Sequence, residues 1–337
     1  MRTIHGGDVW QGGAPEEYLD FSANLNPEGP PDWVRAAMAE DVARAAYYPD
    51  IRGRAALAGL SAHLDLPEDC LLPTNGGIEA AALAAGLAQG RGNLIAQPTF
   101  QEYGRLCGDW TSIPRERLMA PPFQGETIWV CNPNNPTGHA FSRTEMTALL
   151  ARVEAAGGRL IVDEAFIDYC PEHSVANLCA AHPALIVLGS LTKVLAIPGI
   201  RLGYLVAHPS IIAQLRETLP PWRLNCVAEA VAAALPGRAD DFRRIRTLNT
   251  GRRAAFAQAL TGMGVRVSPS AANFLLCDFG RDMRPAIADL RTQKILVRPC
   301  GMFPGLTNAH IRLCVRKPAD NAKLLAALKN AAATGNS

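Results

Sequence analysis

Short apolar runs alternate with amphipathic segments through the first two-thirds of the chain. The apolar runs are typical of buried strands, and apolar residues at helical spacing between them indicate helices packed on a sheet. This alternation predicts right-handed βαβ units and a mostly parallel sheet. The expected strands are residues 93–96, 127–130, 160–162 and 184–188, and the expected helices are 33–42, 53–63, 80–88 and 146–153, the last opened by a capping box at Ser142 and Glu145.

The pattern changes beyond about residue 236, where a long polar helix at 241–260 precedes a shorter set of elements. We predict an α/β fold with a large domain, residues 32–236, and a smaller α+β domain, residues 237–337. Residues 1–31 are rich in Gly and Pro and are expected to form an arm that returns to the small domain. The strands expected in the small domain are 273–277, 295–298 and 310–315, and its last helix is 323–330.

Composition and charge narrow the class of protein. The 48% hydrophobic and 19% charged content is typical of a globular enzyme, and a net charge of +2 without a basic cluster predicts no nucleic-acid partner. The nine cysteines include no C-x-x-C pair, so we expect reduced, buried thiols and no metal site. No signal peptide and no membrane span are apparent, and a cytoplasmic location is expected.

Polar groups follow three of the expected strands, at residues 132–138, at Asp163 and at residues 190–193. The carboxyl ends of parallel strands meet at one edge of a sheet, so the sequence predicts a site there. In the last segment Lys193 follows a buried run. A desolvated lysine is the usual partner of an aldehyde in a Schiff base, although a solvated loop lysine has the same local sequence.

A phosphate site is expected beside this lysine. The hydroxyls of Ser190 and Thr192 and the guanidinium of Arg201 suit a phosphate, and an amine next to a phosphate suggests pyridoxal phosphate (PLP). Gly76 and Gly77 open an apolar helix, whose exposed N–H groups are a second phosphate-binding element unless they form a plain turn.

Catalysis with PLP requires two further protein groups. A buried carboxylate keeps the pyridine nitrogen protonated, and Asp163 at a strand end is the candidate; a loop acid or helix cap is the alternative. An aromatic ring covers the cofactor, and Tyr103 is placed for this. In the turn-rich arm, His5, Ser22 and Asn24 are polar groups that either contact a ligand or serve as structural donors.

Four motifs together resemble the aspartate-aminotransferase-like superfamily, the fold type I PLP enzymes: residues 132–138, 163–166, 190–193 and 198–204. The resemblance implies that Lys193 binds the cofactor covalently and transfers protons, while Asp163 pairs with the pyridine nitrogen. Asn135 would lie near the ring oxygen and the substrate carboxylate, and Tyr103 would stack on the ring. The implied phosphate ligands are Gly76, Gly77, Ser190, Thr192 and Arg201, with Tyr48 reaching the phosphate of a neighbouring subunit in a homodimer.

The same resemblance makes Arg312 the arginine for the substrate carboxylate. One departure is Phe166, where many relatives have a tyrosine that bonds the ring oxygen.

Within the superfamily, residues 5–7, 20–27, 295–300 and 304–306 are similar to the threonine-phosphate decarboxylase family of cobalamin synthesis. This implies a small phosphorylated amino-acid substrate, bound with the help of His5, Gly6, Asn24 and Arg298. Histidinol-phosphate aminotransferases share the general plan and are the alternative. A non-catalytic PLP-binding regulator is a third hypothesis, but such proteins usually carry a DNA-binding segment that this chain lacks length for.

Overall fold

A seven-stranded sheet forms the centre of the part of the chain that this computed structural model describes, residues 6–10, 13–120 and 123–334. The strands are β1 Leu19–Asp20, β2 Leu71–Asn75, β3 Asn93–Gln97, β4 Thr111–Pro114, β5 Thr127–Cys131, β6 Arg159–Asp163, β7 Leu185–Ser190, β8 Leu202–Ala207, β9 Arg266–Val267, β10 Phe274–Asp278, β11 Ile295–Leu296, β12 Arg298–Pro299 and β13 His310–Cys314.

The strand order in the large sheet is β2-β8-β7-β6-β5-β3-β4. Strand β8 is antiparallel to both of its neighbours, and strands β3 to β7 pair in parallel. The mostly parallel α/β sheet predicted from the sequence is confirmed.

Helices cover both faces of this sheet, which explains the continuous apolar runs in its central strands. The helices are α1 Asp32–Val42, α2 Arg54–Leu64, α3 Gly77–Leu87, α4 Glu102–Cys107, α5 Arg143–Ala155, α6 Pro209–Thr218, α7 Cys226–Ala233, α8 Ala239–Thr261, α9 Arg284–Thr292 and α10 Pro318–Thr334. In β5, Ile128 and Val130 pack on one face with α1, α2, α5 and α7, while Trp129 and Cys131 pack on the other with α3, α4 and α6. Strands buried on both faces do not show the apolar–polar alternation of half-buried strands.

A second, antiparallel sheet of order β12-β13-β10-β9 lies against a separate apolar core built by α8, α9 and α10. The arm joins this core: β1 pairs in parallel with β11, and Phe21 is fully buried there. Helix α8 contributes to both cores, with Phe242 and Ile245 in the first and Phe256 and Leu260 in the second. The domain boundaries at residues 31 and 236 stay a prediction.

The expected strand 295–298 is wrong as one element. Residues Ile295 and Leu296 pair with β1, whereas Arg298 and Pro299 pair with β13 in the other sheet. The chain changes partner at Val297, which delivers Arg298 to the edge that faces the large sheet. Among the described residues no helix is long and apolar enough to cross a membrane.

Candidate active site

A cavity of about 380 Å³ lies at the carboxyl ends of the parallel strands, between them and the second sheet. The sequence had placed most of its candidate groups at these strand ends, and the fold brings them to one cavity. The predicted site residues that line it are Gly6, Asn24, Gly77, Tyr103, Asn135, Asp163, Ser190, Thr192, Lys193, Arg201, Arg298 and Arg312.

Lys193 lies in the turn after β7, and the arm holds this turn in place. The Asn26 amide donates to the Lys193 carbonyl (3.0 Å), and Asn26 Nδ2 donates to the Val194 carbonyl (3.1 Å). Burial, together with the nearby charges of Arg312 and Arg201, lowers the pKa of Lys193 to about 8. The lysine is therefore prepared to present a neutral, nucleophilic amine.

Asp163 ends β6 and is bonded on both oxygens. Its Oδ2 accepts from the Tyr103 hydroxyl (2.5 Å) and its Oδ1 accepts from the Ala165 amide (2.9 Å). Burial raises the pKa of Asp163, and these hydrogen bonds and the charge of Lys193 oppose the rise. The Tyr103 ring stacks on Trp129 with centroids 5.4 Å apart. The tyrosine–carboxylate bond was not predicted, and the stacking of Tyr103 on a cofactor stays a prediction.

A small cup forms where α3 begins. Gly76 has φ of 78°, and a side chain there would collide with the Arg201 guanidinium. A Cβ on Gly77 would lie 3.2 Å from the Ser190 Cβ. Helix N–H groups, a hydroxyl and a guanidinium therefore converge next to Lys193, and this donor set fits the phosphate of PLP. Gly76 borders the cup without lining the main cavity.

Two arginines line the cavity from paired positions on β12 and β13. Arg312 donates from Nη1 to Asn135 Oδ1 and from Nη2 to the Ser22 carbonyl, each at 2.5 Å, and its buried Nε has no partner. Arg298 contacts Met302 Sδ at 3.7 Å and lies over the Phe303 ring.

Neither arginine has a carboxylate within 4 Å among the described residues. Burial lowers the pKa of Arg312 to about 10 and also lowers that of Arg298. The charge of Asp20 acts on Arg312 only from beyond contact distance. Buried cations with no carboxylate in contact are costly, so this pair is suited to bind anionic groups.

The arm supplies the remaining wall. Asn24 is buried, lines the cavity and has an Oδ1 without a hydrogen-bond partner. Gly6 packs so closely on the Ser22 carbonyl that any side chain would collide with it, and the Gly7 amide donates to Ser22 Oγ (2.8 Å). His5 lies outside the described residues.

Two more residues that the sequence singled out are Tyr48 and Phe166. Tyr48 is 81% exposed, packs against Trp222 and does not line the cavity of its own chain, and its contact with a neighbouring subunit stays a prediction. Phe166 lines the cavity and packs edge-on against Phe274.

Several cavity residues had not been singled out, among them Gln101 and Phe303. Gln101 Nε2 donates to the Met302 carbonyl (2.9 Å), which joins the two sides of the cavity. Gln101 lies two residues before Tyr103, and Phe303 lies directly before residues 304–306, so nearness to these positions was the available signal.

Comparison with known proteins agrees with this geometry. The protein family described as "Aminotransferase class I and II" matches residues 16–328 of this chain. A threonine-phosphate decarboxylase of Salmonella typhimurium is 34% identical and covers 98% of this chain and 97% of its own. A histidinol-phosphate aminotransferase of Symbiobacterium thermophilum is 31% identical, over 95% of this chain and 92% of its own.

Among solved structures, the L-threonine-O-3-phosphate decarboxylase of Porphyromonas gingivalis has a TM-score of 0.85 at 25% identity, over 92% of this chain and 98% of its own. The enzymes of the matched family use PLP, so the cofactor predicted from Lys193, Asp163 and the phosphate cup is confirmed. With the family matched over nearly its whole length, this chain belongs to the aminotransferase class I and II family of PLP-dependent enzymes.

Proposed function

We propose that this enzyme decarboxylates L-threonine O-3-phosphate to (R)-1-amino-2-propanol O-2-phosphate and CO2, for the side chain of cobalamin. The observation that carries the proposal is the pair Arg298 and Arg312, buried and without acidic partners in the described part of the chain. Threonine phosphate has two anionic groups, a phosphate and a carboxylate. Two cations at one end of the cavity match them, and similarity to threonine-phosphate decarboxylases supports the match.

The residues around the cofactor site have separable tasks. The cofactor, when bound, supplies an electron sink that weakens whichever Cα bond stands perpendicular to its ring. Lys193 would hold it and transfer protons, Asp163 would keep the pyridine nitrogen protonated, and the cup at Gly76, Ser190 and Arg201 would hold its phosphate. These groups serve decarboxylation and transamination equally.

The choice of reaction therefore depends on orientation. A decarboxylase must place the Cα–carboxylate bond perpendicular to the ring, and an aminotransferase places the Cα–H bond there. In the proposal, His5, Gly6, Asn24 and Arg298 help to bind the substrate phosphate, and Arg312 directs the carboxylate. Histidinol-phosphate transamination is the second candidate because relatives with that name are also similar. Histidinol phosphate has one anionic group, its phosphate. The second arginine would then bind a carboxylate of the amino-group acceptor.

Running both substrates side by side tests the proposal. The holoenzyme should release CO2 and amino-propanol phosphate from threonine phosphate, and unphosphorylated threonine should react far more slowly. Turnover of histidinol phosphate that needs 2-oxoglutarate, with no CO2 from threonine phosphate, would establish the second candidate instead. If neither substrate reacts, the assignment returns to the family alone.

Capture of the cofactor should depend on pH through Lys193. A lysine with its ordinary pKa near 10.5 is almost wholly protonated at neutral pH, whereas burial brings the pKa of Lys193 to about 8. The neutral amine is the reactive form, so the rate at which PLP binds covalently to the cofactor-free protein should rise about tenfold per pH unit below 8 and level off above it. Stopped-flow visible absorbance measures this rate. A midpoint near 10.5 would contradict the expectation.

Tyr48 should complete the site of a second subunit in a C2 homodimer. Its exposed ring packs against Trp222 and does not line the cavity of its own chain. Tyr48→Ala should weaken cofactor binding in a dimer that still forms.

Subunit mixing tests this assignment. When Tyr48→Ala and Lys193→Ala proteins are mixed and allowed to exchange subunits, one site of each hybrid has both intact groups, so activity should return to about a quarter of wild type. No recovery in proven hybrids, or a fully active monomer by sedimentation, would refute the assignment.

A further inference from the structure

Asp20 does not line the cavity, yet it organises the arm next to it. It ends β1, and its Oδ1 accepts three hydrogen bonds, from the Ser22 amide (2.7 Å), the Ser22 hydroxyl (2.6 Å) and the Ala23 amide (3.2 Å). Such a carboxylate-centred turn fixes the backbone of the residues that follow. The Asp20 carbonyl accepts from Arg316 Nη1 (3.1 Å), which anchors the turn to the end of β13.

The turn positions both the backbone carbonyl and the side-chain hydroxyl of Ser22 for hydrogen bonds. The Ser22 carbonyl accepts from Arg312 Nη2 (2.5 Å), and the Ser22 hydroxyl, while donating to Asp20, accepts from the Gly7 amide (2.8 Å). The first contact reaches the arginine of the substrate end. The second holds the segment that places Gly6 in the cavity wall.

We propose that Asp20 is a positioning residue which, through Ser22, fixes the orientation of the Arg312 guanidinium and holds the Gly6–Gly7 segment on the cavity. The proposal deepens the proposed function and rests on it, because the orientation of Arg312 is what directs the substrate carboxylate. Asp20 does not line the cavity, so the proposed role is exerted through Ser22.

The geometry explains why one carboxylate has this effect. Arginine has a long flexible stem, and two acceptors, Asn135 Oδ1 and the Ser22 carbonyl, hold its planar end in one orientation. The hydrogen bond from Arg312 Nη1 also fixes the orientation of the Asn135 side-chain amide. Without Asp20 the Ser22 carbonyl is free to turn away, and Arg312 keeps one anchor. A misplacement of about 1 Å in an active site costs on the order of 100-fold in rate.

Three variants separate this role from general stability. Asp20→Ala removes the acceptor of all three bonds, whereas Asp20→Asn keeps an oxygen in the same position. The matched control is Asp278→Ala. Asp278 ends β10 of the second sheet, and its Oδ1 also accepts a hydrogen bond from a turn amide, that of Gly280 (2.9 Å). Unlike Asp20, it has no hydrogen bond, in the described part of the chain, with the residues that line the arm side of the cavity, and it does not line the cavity itself.

Two measurements on the holoenzyme decide the outcome. Asp20→Ala should lower kcat/KM for threonine phosphate by about 10- to 100-fold, with part of the loss in kcat, and Asp20→Asn should stay within about fivefold of wild type. Hydrogen–deuterium exchange without substrate should rise in Asp20→Ala at residues 6–8 and 22–24, and remain at wild-type rates there in Asp278→Ala.

Wild-type exchange in Asp20→Ala, or wild-type kinetics, would overturn the proposal, as would equal losses in Asp278→Ala. Failure of the proposed function is recognised separately, because the wild type itself would then release no CO2, while the exchange comparison still shows whether Asp20 holds the arm.

Discussion

Lys193→Ala should abolish the covalent attachment of PLP and lower turnover by about 10³-fold or more, because one side chain both holds the cofactor and transfers protons. Wild-type protein treated with borohydride should yield a single labelled peptide that contains Lys193. Visible absorbance of the bound cofactor and CO2 release measure the two losses in the variant.

Lys317→Ala is the matched control, since Lys317 lies at the surface beside Glu28 and is half exposed. It should retain both attachment and turnover. Labelling of any other lysine would show that the central assignment is wrong, because Asp163 and the phosphate cup were assigned relative to Lys193.

Arg298→Ala should weaken threonine phosphate binding by about 1.5–3 kcal/mol, or roughly 10- to 150-fold, while cofactor attachment remains intact. Arg298 has no acidic partner among the described residues, so its charge is available to the substrate phosphate. Arg298→Lys should recover only part of the affinity, because an ammonium cannot form the bidentate contact of a guanidinium. Titration of the holoenzyme with threonine phosphate measures the change.

The control for this series is Arg266→Ala, which removes an exposed arginine on β9 of the same sheet. Arg312→Ala should behave differently from Arg298→Ala: kcat should fall together with affinity, because the carboxylate loses its direction. Equal affinity in Arg298→Ala and wild type would remove Arg298 from the substrate site.

The large sheet and most of the cavity were predictable because their signals are local. Apolar runs mark the buried strands, and Asp163 and Lys193 follow directly after two of them. Helix α4 was not predicted, since its six residues make less than two turns and give too little periodicity. The helices at residues 209–233 were not predicted either.

The contacts that set the geometry of the site could not be read from sequence. Ser22 and Arg312 are 290 residues apart, and Tyr103 and Asp163 are 60 apart, so no local pattern links either pair. The division of residues 295–299 between two sheets has the same cause, because it depends on the arrival of β1 from the other end of the chain.

Helix α8 has a consequence for how this protein loses its structure. It has 23 residues, about 35 Å, and its first half packs in one apolar core while its second half packs in the other. Because helix formation is cooperative along the chain, fraying that begins at Phe242 or at Phe256 removes support from the opposite end. We therefore expect the two cores to be coupled in unfolding, so that a cavity made in either should lower the melting temperature of both.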